Sequence, residues 1–234
     1  MTLTTLGYAF LGGFLPSLIW LYFLLKEDAR HPEPRSLIVL AFLVGALAVP
    51  LALPLEQYAR GNLVDSSSVL VAWALIEEVL KYAAAALLIL WRRSVDEAPD
   101  YVIYMVTVAL GFASAENVLF LLGPLSHGQF AMSIFTSDVR FLGSTLLHVV
   151  ASAAVGFAFA FSAASGKGAR SLAAALGLIL AILLHTAFNM LIIQQGASTV
   201  TAFFLVWVVA VIFFAAFEVL KYFQYYTPSN DTLH

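Results

Sequence analysis

Long apolar runs separated by short polar segments make up almost the whole chain. Seven of these runs are close to the roughly 20 residues that a helix needs to cross a bilayer. We therefore predict an all-α, polytopic membrane bundle, with residues 1–234 as a single integral membrane domain because no segment between the runs is long enough for a soluble domain. The predicted spans are 4–25, 36–55, 68–91, 101–122, 138–162, 172–193 and 199–220.

Two parts of this pattern are irregular. Pro50 and Pro54 fall near the end of the second run, 36–55, and we expect them either to kink this span or to end it. The stretch from Gly123 to Ser137 is apolar but falls between two spans. We predict that it lies in the membrane interface.

The positions of Lys and Arg predict the orientation of the bundle. With the N-terminus outside, eight basic residues fall in cytoplasmic segments, whereas the outer segments hold two, Arg60 and Arg140. Short cytoplasmic loops carry an excess of Lys and Arg. The expected orientation is therefore N-out, C-in.

Composition supports the membrane assignment and narrows the chemistry. Hydrophobic residues make up 62% of the chain and charged residues 11%, and the mean hydropathy is +0.94, which exceeds what an ordinary soluble domain shows. The net charge of -3 comes without a basic stripe, so the expected partner is the lipid bilayer and no nucleic-acid role is predicted. The absence of cysteine excludes thiolate ligands and a cysteine nucleophile.

Three ionisable side chains interrupt the third run near its middle. They are Glu77, Glu78 and Lys81. Each costs about 2.5 to 3.5 kcal/mol at the centre of a membrane helix, so their presence requires a compensating role. On a helical wheel they share one arc of about 100°. This arc is predicted to face other helices or a wet cavity instead of lipid.

Three further ionisable residues lie inside other spans, namely Glu116, His148 and His185. At about 1.5 Å per residue, these three and the two glutamates of the third run fall within about 6 Å of one another in depth, in the outer half or near the midplane. A shared polar cavity requires such agreement, which scattered structural charges would not show. The predicted catalytic residues are Glu77, Glu78, Glu116, His148, His185 and Asn189, supported by Lys81, Phe112 and Asn117.

Two hydrolytic mechanisms suit this set of side chains. In the first, His148 and His185 hold a zinc ion together with a carboxylate, and another glutamate takes a proton from water. In the second, a desolvated glutamate is the general base without a metal, and a histidine with Asn189 stabilises the oxyanion. Neither mechanism needs a serine or cysteine nucleophile, and the sequence contains no Gly-x-Ser-x-Gly or His-Glu-x-x-His motif.

Three short motifs in this order resemble a known family. Glu77-Glu78-Val-Leu-Lys81 resembles an E-E-x-x-K motif, Phe112-Ala-Ser-Ala-Glu116 an F-x-x-x-E motif, and His185-Thr-Ala-Phe-Asn189 an H-x-x-x-N motif, with His148 between the last two. Together they are similar to the PrsW family of intramembrane proteases. That family is related to the type II CAAX prenyl endopeptidases and, more remotely, to the APH-1 subunit of gamma-secretase. The similarity covers about residues 28 to 192.

The resemblance implies a polytopic membrane peptidase in a bacterial or archaeal cell membrane. Some bacterial relatives cleave single-span anti-sigma factors at the outer side, which suggests a single-span membrane protein as substrate. Where this chain has Glu116, the CAAX relatives carry histidine, so the ligand set here is more acidic. We expect Glu77 and Glu78 to supply the base, His148 and His185 to bind a metal or stabilise the oxyanion, and Glu116 to be a third metal ligand or an acid.

A protein without enzymatic activity remains an alternative interpretation. A scaffold that binds a partner helix could keep the same polar cluster for recognition, and a proton-coupled transporter also places Glu, His and Lys at a common depth. Transport predicts broken helices and often an internal repeat. The apolar runs are mostly uninterrupted and show no repeat.

Overall fold

The computed structural model describes residues 2–29, 31–193 and 197–226. Within these residues every regular element is a helix, as the apolar runs predicted. A π-helical turn, Arg140–Ser144, joins the fifth α-helix to the sixth without a break. The α-helices are α1 (Leu3–Glu27), α2 (Arg35–Asn62), α3 (Ser66–Leu88), α4 (Ala98–Ser126), α5 (Phe130–Val139), α6 (Thr145–Ser162), α7 (Lys167–Ile193) and α8 (Ala197–Tyr226).

Six helical segments in the described part of the chain are long and apolar enough to cross a membrane, and the polytopic helical bundle is confirmed. They correspond to six of the seven predicted spans. The seventh, α3, has 23 residues and carries Glu77, Glu78 and Lys81 in its middle. All three side chains are buried inside the bundle, so α3 does not present them to lipid. That α3 crosses the membrane, and that the N-terminus is outside, stay predictions.

Two boundaries differ from the sequence prediction. Helix α2 continues through Pro50 and Pro54 to Asn62, so these prolines do not end the helix and it extends beyond residue 55. Proline is tolerated inside membrane helices because neighbouring helices and local adjustments satisfy the backbone groups that it frees. The segment 123–137, predicted to be interfacial, is helical: it completes α4 and, after a short turn, begins α5.

Helix α4 is the centre of the bundle and is buried along most of its length between α1, α2 and α6. Helices α2 and α4 approach each other closely at two glycines, Gly45 and Gly111. A Cβ atom on Gly45 of α2 would lie 1.9 Å from the carbonyl oxygen of Val108, and one on Gly111 of α4 would lie 1.9 Å from that of Phe42. The two backbones are therefore in direct contact, which small residues permit in membrane bundles. This contact fixes α4, and with it Glu116, against α2.

Candidate active site

Glu78 lies at the centre of a buried hydrogen-bonded group. Its Oε1 atom is 2.5 Å from Lys81 Nζ and 2.7 Å from His185 Nδ1. All three residues are buried. Because the carboxylate is the acceptor, Nδ1 of His185 carries the hydrogen, and Nε2 keeps the free lone pair on the opposite edge of the ring.

His148 is held from both sides. Lys81 Nζ lies 3.1 Å from His148 Nδ1, and since an ammonium group only donates hydrogen bonds, Nδ1 is the acceptor. The hydrogen is then on Nε2, which lies 3.1 Å from Glu116 Oε2. Phe112 packs beside this pair, with its ring centroid 5.5 Å from that of His148 and 5.0 Å from Lys81 Nζ.

Arg140 is a member of the cluster that sequence reasoning missed. Its Nη2 atom forms an ion pair with Glu116, and its Nε atom donates to Asn117 Oδ1 at 2.5 Å. Asn117 in turn donates to Thr145 Oγ1 at 3.1 Å. We had counted Arg140 only as an outer basic residue. Its position eight residues before His148, about two helical turns, was the signal that it shares the inward face.

Glu77 differs from the other carboxylates of the cluster. Its Oε2 atom is buried and has no hydrogen-bond partner among the described residues. This atom lies 3.9 Å from His148 Nδ1 and 3.8 Å from His185 Nε2. Glu77, His148 and His185 each offer a ligand atom, and the three atoms lie within 4.8 Å of one another. The sequence had suggested Glu116 as the third ligand, but Glu116 is engaged by Arg140.

The Glu77, His148 and His185 group suits a metal ion in both geometry and charge. Tetrahedral coordination with bonds of about 2.1 Å places ligand atoms about 3.4 Å apart, so small side-chain movements would close the observed separations. Lys81 pairs with Glu78 and Arg140 with Glu116, which leaves Glu77 without a lysine or arginine ion pair in the described chain. A cation bound there would compensate the charge of this buried carboxylate.

A cleft of about 580 Å³ opens beside this group and gives it access from outside the bundle. Its walls are mostly apolar, with a few convergent polar side chains, which is typical of substrate sites. Asn189, one turn after His185, lines the cleft and is half-buried. Glu56 also lines it, because α2 continues past its two prolines. The apolar lining includes Leu53, Trp73, Leu119, Phe120, Ile192 and Phe203.

The three site acids differ in their access to the cleft. The side chain of Glu116 is 20% exposed and that of Glu77 is 7% exposed. Glu78 is the least accessible, at 1%. A substrate in the cleft would therefore meet Glu116 and Glu77, whereas Glu78 acts only through its neighbours.

The chain is similar to known proteins over most of its length. The model of the PrsW family of intramembrane metalloproteases matches residues 33–217. A protein named Protease PrsW from Geobacillus kaustophilus is 29% identical over 150 residues, which cover 63% of this chain and 63% of that protein. Protease PrsW from Bacillus subtilis is 25% identical over 183 residues, covering 77% of this chain and 80% of the relative. No solved structure matches the chain.

Proposed function

Because the chain belongs to the PrsW family of intramembrane metalloproteases, we propose that it hydrolyses a peptide bond of a membrane protein in the cleft, using a zinc ion held by Glu77, His148 and His185. The observation that supports this ligand set is the buried Glu77 Oε2, which lacks a hydrogen-bond partner among the described residues and faces one nitrogen of each imidazole.

Membership of the family has two direct consequences. The prediction of a membrane peptidase is confirmed at the level of the family, whose curated relatives are named proteases. Bacterial relatives and six apolar helices identify an integral protein of the bacterial cell membrane. The metal, the mechanism and the substrate are the parts that we propose.

The residues around the ligand set hold it in place. A zinc ion bound there supplies Lewis-acid polarisation of the scissile carbonyl and lowers the pKa of water towards neutrality. Glu78 accepts the Nδ1 hydrogen of His185 and so keeps Nε2 available as a ligand atom. Lys81 balances the charge of Glu78, and its hydrogen bond to His148 Nδ1 would have to break for that nitrogen to bind zinc, with Lys81 then held by Glu78.

Proton transfer is assigned to Glu116. We had expected Glu77 and Glu78 to supply the base, but Glu77 is a proposed zinc ligand and the side chain of Glu78 is only 1% exposed. Glu116 is the most exposed of the three site acids and lines the cleft. It takes the proton of the attacking water as the carbon–oxygen bond forms and gives it to the leaving amine as the carbon–nitrogen bond breaks. Asn189 on the cleft wall donates to the developing oxyanion.

The proposed substrate is a single-span membrane protein, similar to an anti-sigma factor, cleaved near the outer membrane face. The cleft lies towards the end of the bundle where α2 ends and α3 begins, as Leu53, Glu56, Leu70 and Trp73 line it. The distribution of Lys and Arg assigns this end to the outside. Its apolar walls suit a segment that unwinds from a membrane helix.

The test combines metal content with cleavage of a single-span reporter in liposomes. Wild type is expected to contain about one zinc per chain and to cleave, whereas His148→Ala/His185→Ala is expected to lose both properties while still inserting. Glu218→Gln is the control, because Glu218 is an exposed acid on α8 paired with Lys221 and remote from the cluster.

Each contrary outcome points to a different alternative. If protein that was never exposed to a chelator contains no metal and still cleaves the reporter, the metal-free mechanism with a glutamate base replaces the zinc mechanism. Retained cleavage in both His148→Ala/His185→Ala and Glu77→Gln would refute the site. Binding of the reporter without hydrolysis would favour a scaffold, and proton flux without hydrolysis a transporter.

A further inference from the structure

Arg140 occupies an unusual place in the fold. It is the first residue of the π-helical turn between α5 and α6. Turns of this kind are rare and occur often at functional sites, because one extra residue per turn changes the direction of the side chains before it. Here the turn separates Arg140 from His148, and both side chains reach Glu116 on α4.

Contacts from α7 and α8 hold the turn in this form. A Cβ atom on Gly143 would lie 2.6 Å from the Phe203 ring and 3.2 Å from that of Phe188, so a larger residue here would require these rings to move. The indole Nε1 of Trp207 donates to the carbonyl oxygen of Leu142 at 3.1 Å and satisfies a backbone group in the turn. Two helices, α7 and α8, thus contact the turn that carries Arg140.

The Arg140 guanidinium makes several contacts at once. It pairs with Glu116 Oε2, donates to Asn117 Oδ1, and stacks over the Phe120 ring, with 3.9 Å between Arg140 Cζ and the ring centroid. Arginine suits this task because its planar fork binds two acceptors in a fixed geometry. The Glu116 carboxylate is therefore held in one orientation.

Glu116 and Glu77 are alternative carboxylates for the same imidazole. Glu116 Oε2 lies 3.1 Å from His148 Nε2, and Glu77 Oε2 lies 3.9 Å from His148 Nδ1. An unpaired Glu116 would compete with Glu77 for a cation beside His148. The ion pair with Arg140 removes that competition and leaves Glu116 as the acceptor for the Nε2 hydrogen.

We propose that Arg140 is a positioning residue of the metal site: it holds Glu116 so that Glu116 orients His148 and stays out of the ligand set. This inference depends on the proposed metal site of Glu77, His148 and His185. Partners that orient metal-ligating histidines typically contribute about 10- to 100-fold in metal affinity. Arg140 acts one step further out, through Glu116.

The experiment measures Co²⁺ binding to the full-length protein in detergent, by equilibrium dialysis and by the visible absorption of bound Co²⁺. Arg140→Met is compared with Arg140→Lys, Glu116→Gln and the double variant Glu116→Gln/Arg140→Met. Arg140→Gln replaces the methionine variant if the latter does not accumulate. Arg170→Met is the matched control, because Arg170 also bonds a partner, the Ala163 carbonyl, but remote from the cluster.

We expect Arg140→Met to weaken Co²⁺ binding about 10-fold and Arg140→Lys to restore only part of the affinity, since lysine keeps a cation beside Glu116 but lacks the planar fork. In the Glu116→Gln background, Arg140→Met should have no further effect. The control should bind Co²⁺ as wild type does. A loss of the same size in the Glu116→Gln background would indicate a structural role only and overturn the inference.

The two proposals fail in different ways. The positioning role is refuted, and the metal site stands, if wild type binds Co²⁺ and Arg140→Met binds it equally well. The same conclusion follows if Arg140→Met loses as much affinity in the Glu116→Gln background as it does when Glu116 is present. If wild type binds neither Co²⁺ nor zinc, the metal site itself is refuted together with the inference.

Discussion

Glu78 accepts a hydrogen bond from His185 Nδ1 at 2.7 Å and so joins α3 to α7 across 107 residues of sequence. The neighbouring Glu77 approaches the other edge of the same imidazole, with 3.8 Å between its Oε2 and His185 Nε2. Two adjacent acids therefore contact opposite sides of one ring. They are chemically identical, but their positions give them different tasks.

Replacing these two acids one at a time should separate their tasks. Glu77→Gln removes a proposed ligand and should abolish stoichiometric zinc binding. Glu78→Gln removes only the group that orients His185, so zinc should still bind, about 10- to 100-fold more weakly. Zinc affinity by competition with a chelating dye measures both. Equal losses in the two variants would contradict the distinction.

Glu33, in the loop between α1 and α2, should make stability depend on pH. Burial, followed by the neighbouring Asp100 carboxyl, raises the pKa of Glu33 from 4.5 to about 8. Between these values the folded state binds one more proton than the unfolded state, so this contribution to stability is full below pH 4.5 and is lost as pH rises to about 8. Glu33→Gln cannot titrate and should lack this part of the slope.

Melting temperatures in detergent from pH 5 to 8 check this prediction. The difference between wild type and Glu33→Gln should move in favour of the variant as pH rises. Glu218→Gln, which removes a 46% exposed acid at the end of α8, is the control and should keep the wild-type slope. Parallel curves for wild type and Glu33→Gln would show that Glu33 does not titrate in this range.

The contact between α2 and α4 should not tolerate a single methyl group. A Cβ atom on Gly45 would lie 1.9 Å from the Val108 carbonyl oxygen, and both are backbone positions that cannot move alone. Gly45→Ala is therefore expected to destabilise the protein by about 1–3 kcal/mol, as overpacking does. Gly7→Ala in α1 is the control, since a Cβ there meets nothing within 4 Å. Thermal unfolding measures the stability of both variants. If Gly45→Ala and Gly7→Ala lowered the melting temperature equally, the steric explanation would be excluded.

Membrane orientation can be tested by labelling introduced cysteines. The chain has no cysteine of its own, so a thiol reagent labels only the introduced one. Single cysteines are placed at Val64, Ser94 and Ser165, exposed positions in the α2–α3, α3–α4 and α6–α7 connections. In intact cells, a membrane-impermeant thiol reagent should label Val64→Cys and spare Ser94→Cys and Ser165→Cys. Labelling of Val64→Cys and Ser94→Cys alike would show that α3 does not cross the membrane.

The sequence by itself determined the class of fold and most members of the site. Runs of about 20 apolar residues dictate membrane helices, because backbone groups in lipid must be satisfied internally. The cost of Glu77, Glu78, Glu116, His148 and His185 in such runs required that they face inward together. The structure brings all five into one cluster.

Only the tertiary structure decided which acid has which partner. On the helix, Lys81 is three residues from Glu78 and four from Glu77, and both spacings allow a pair. His185, arriving from α7, contacts Glu78 Oε1 together with Lys81, and leaves Glu77 Oε2 without a partner in the described chain. The spacing of Arg140 and His148 suggests a shared side of the helix, but the π-helical turn at Arg140 and its pairing with Glu116 are seen only in the structure. Such pairings depend on the relative positions of separate helices, which side-chain packing sets and local sequence does not.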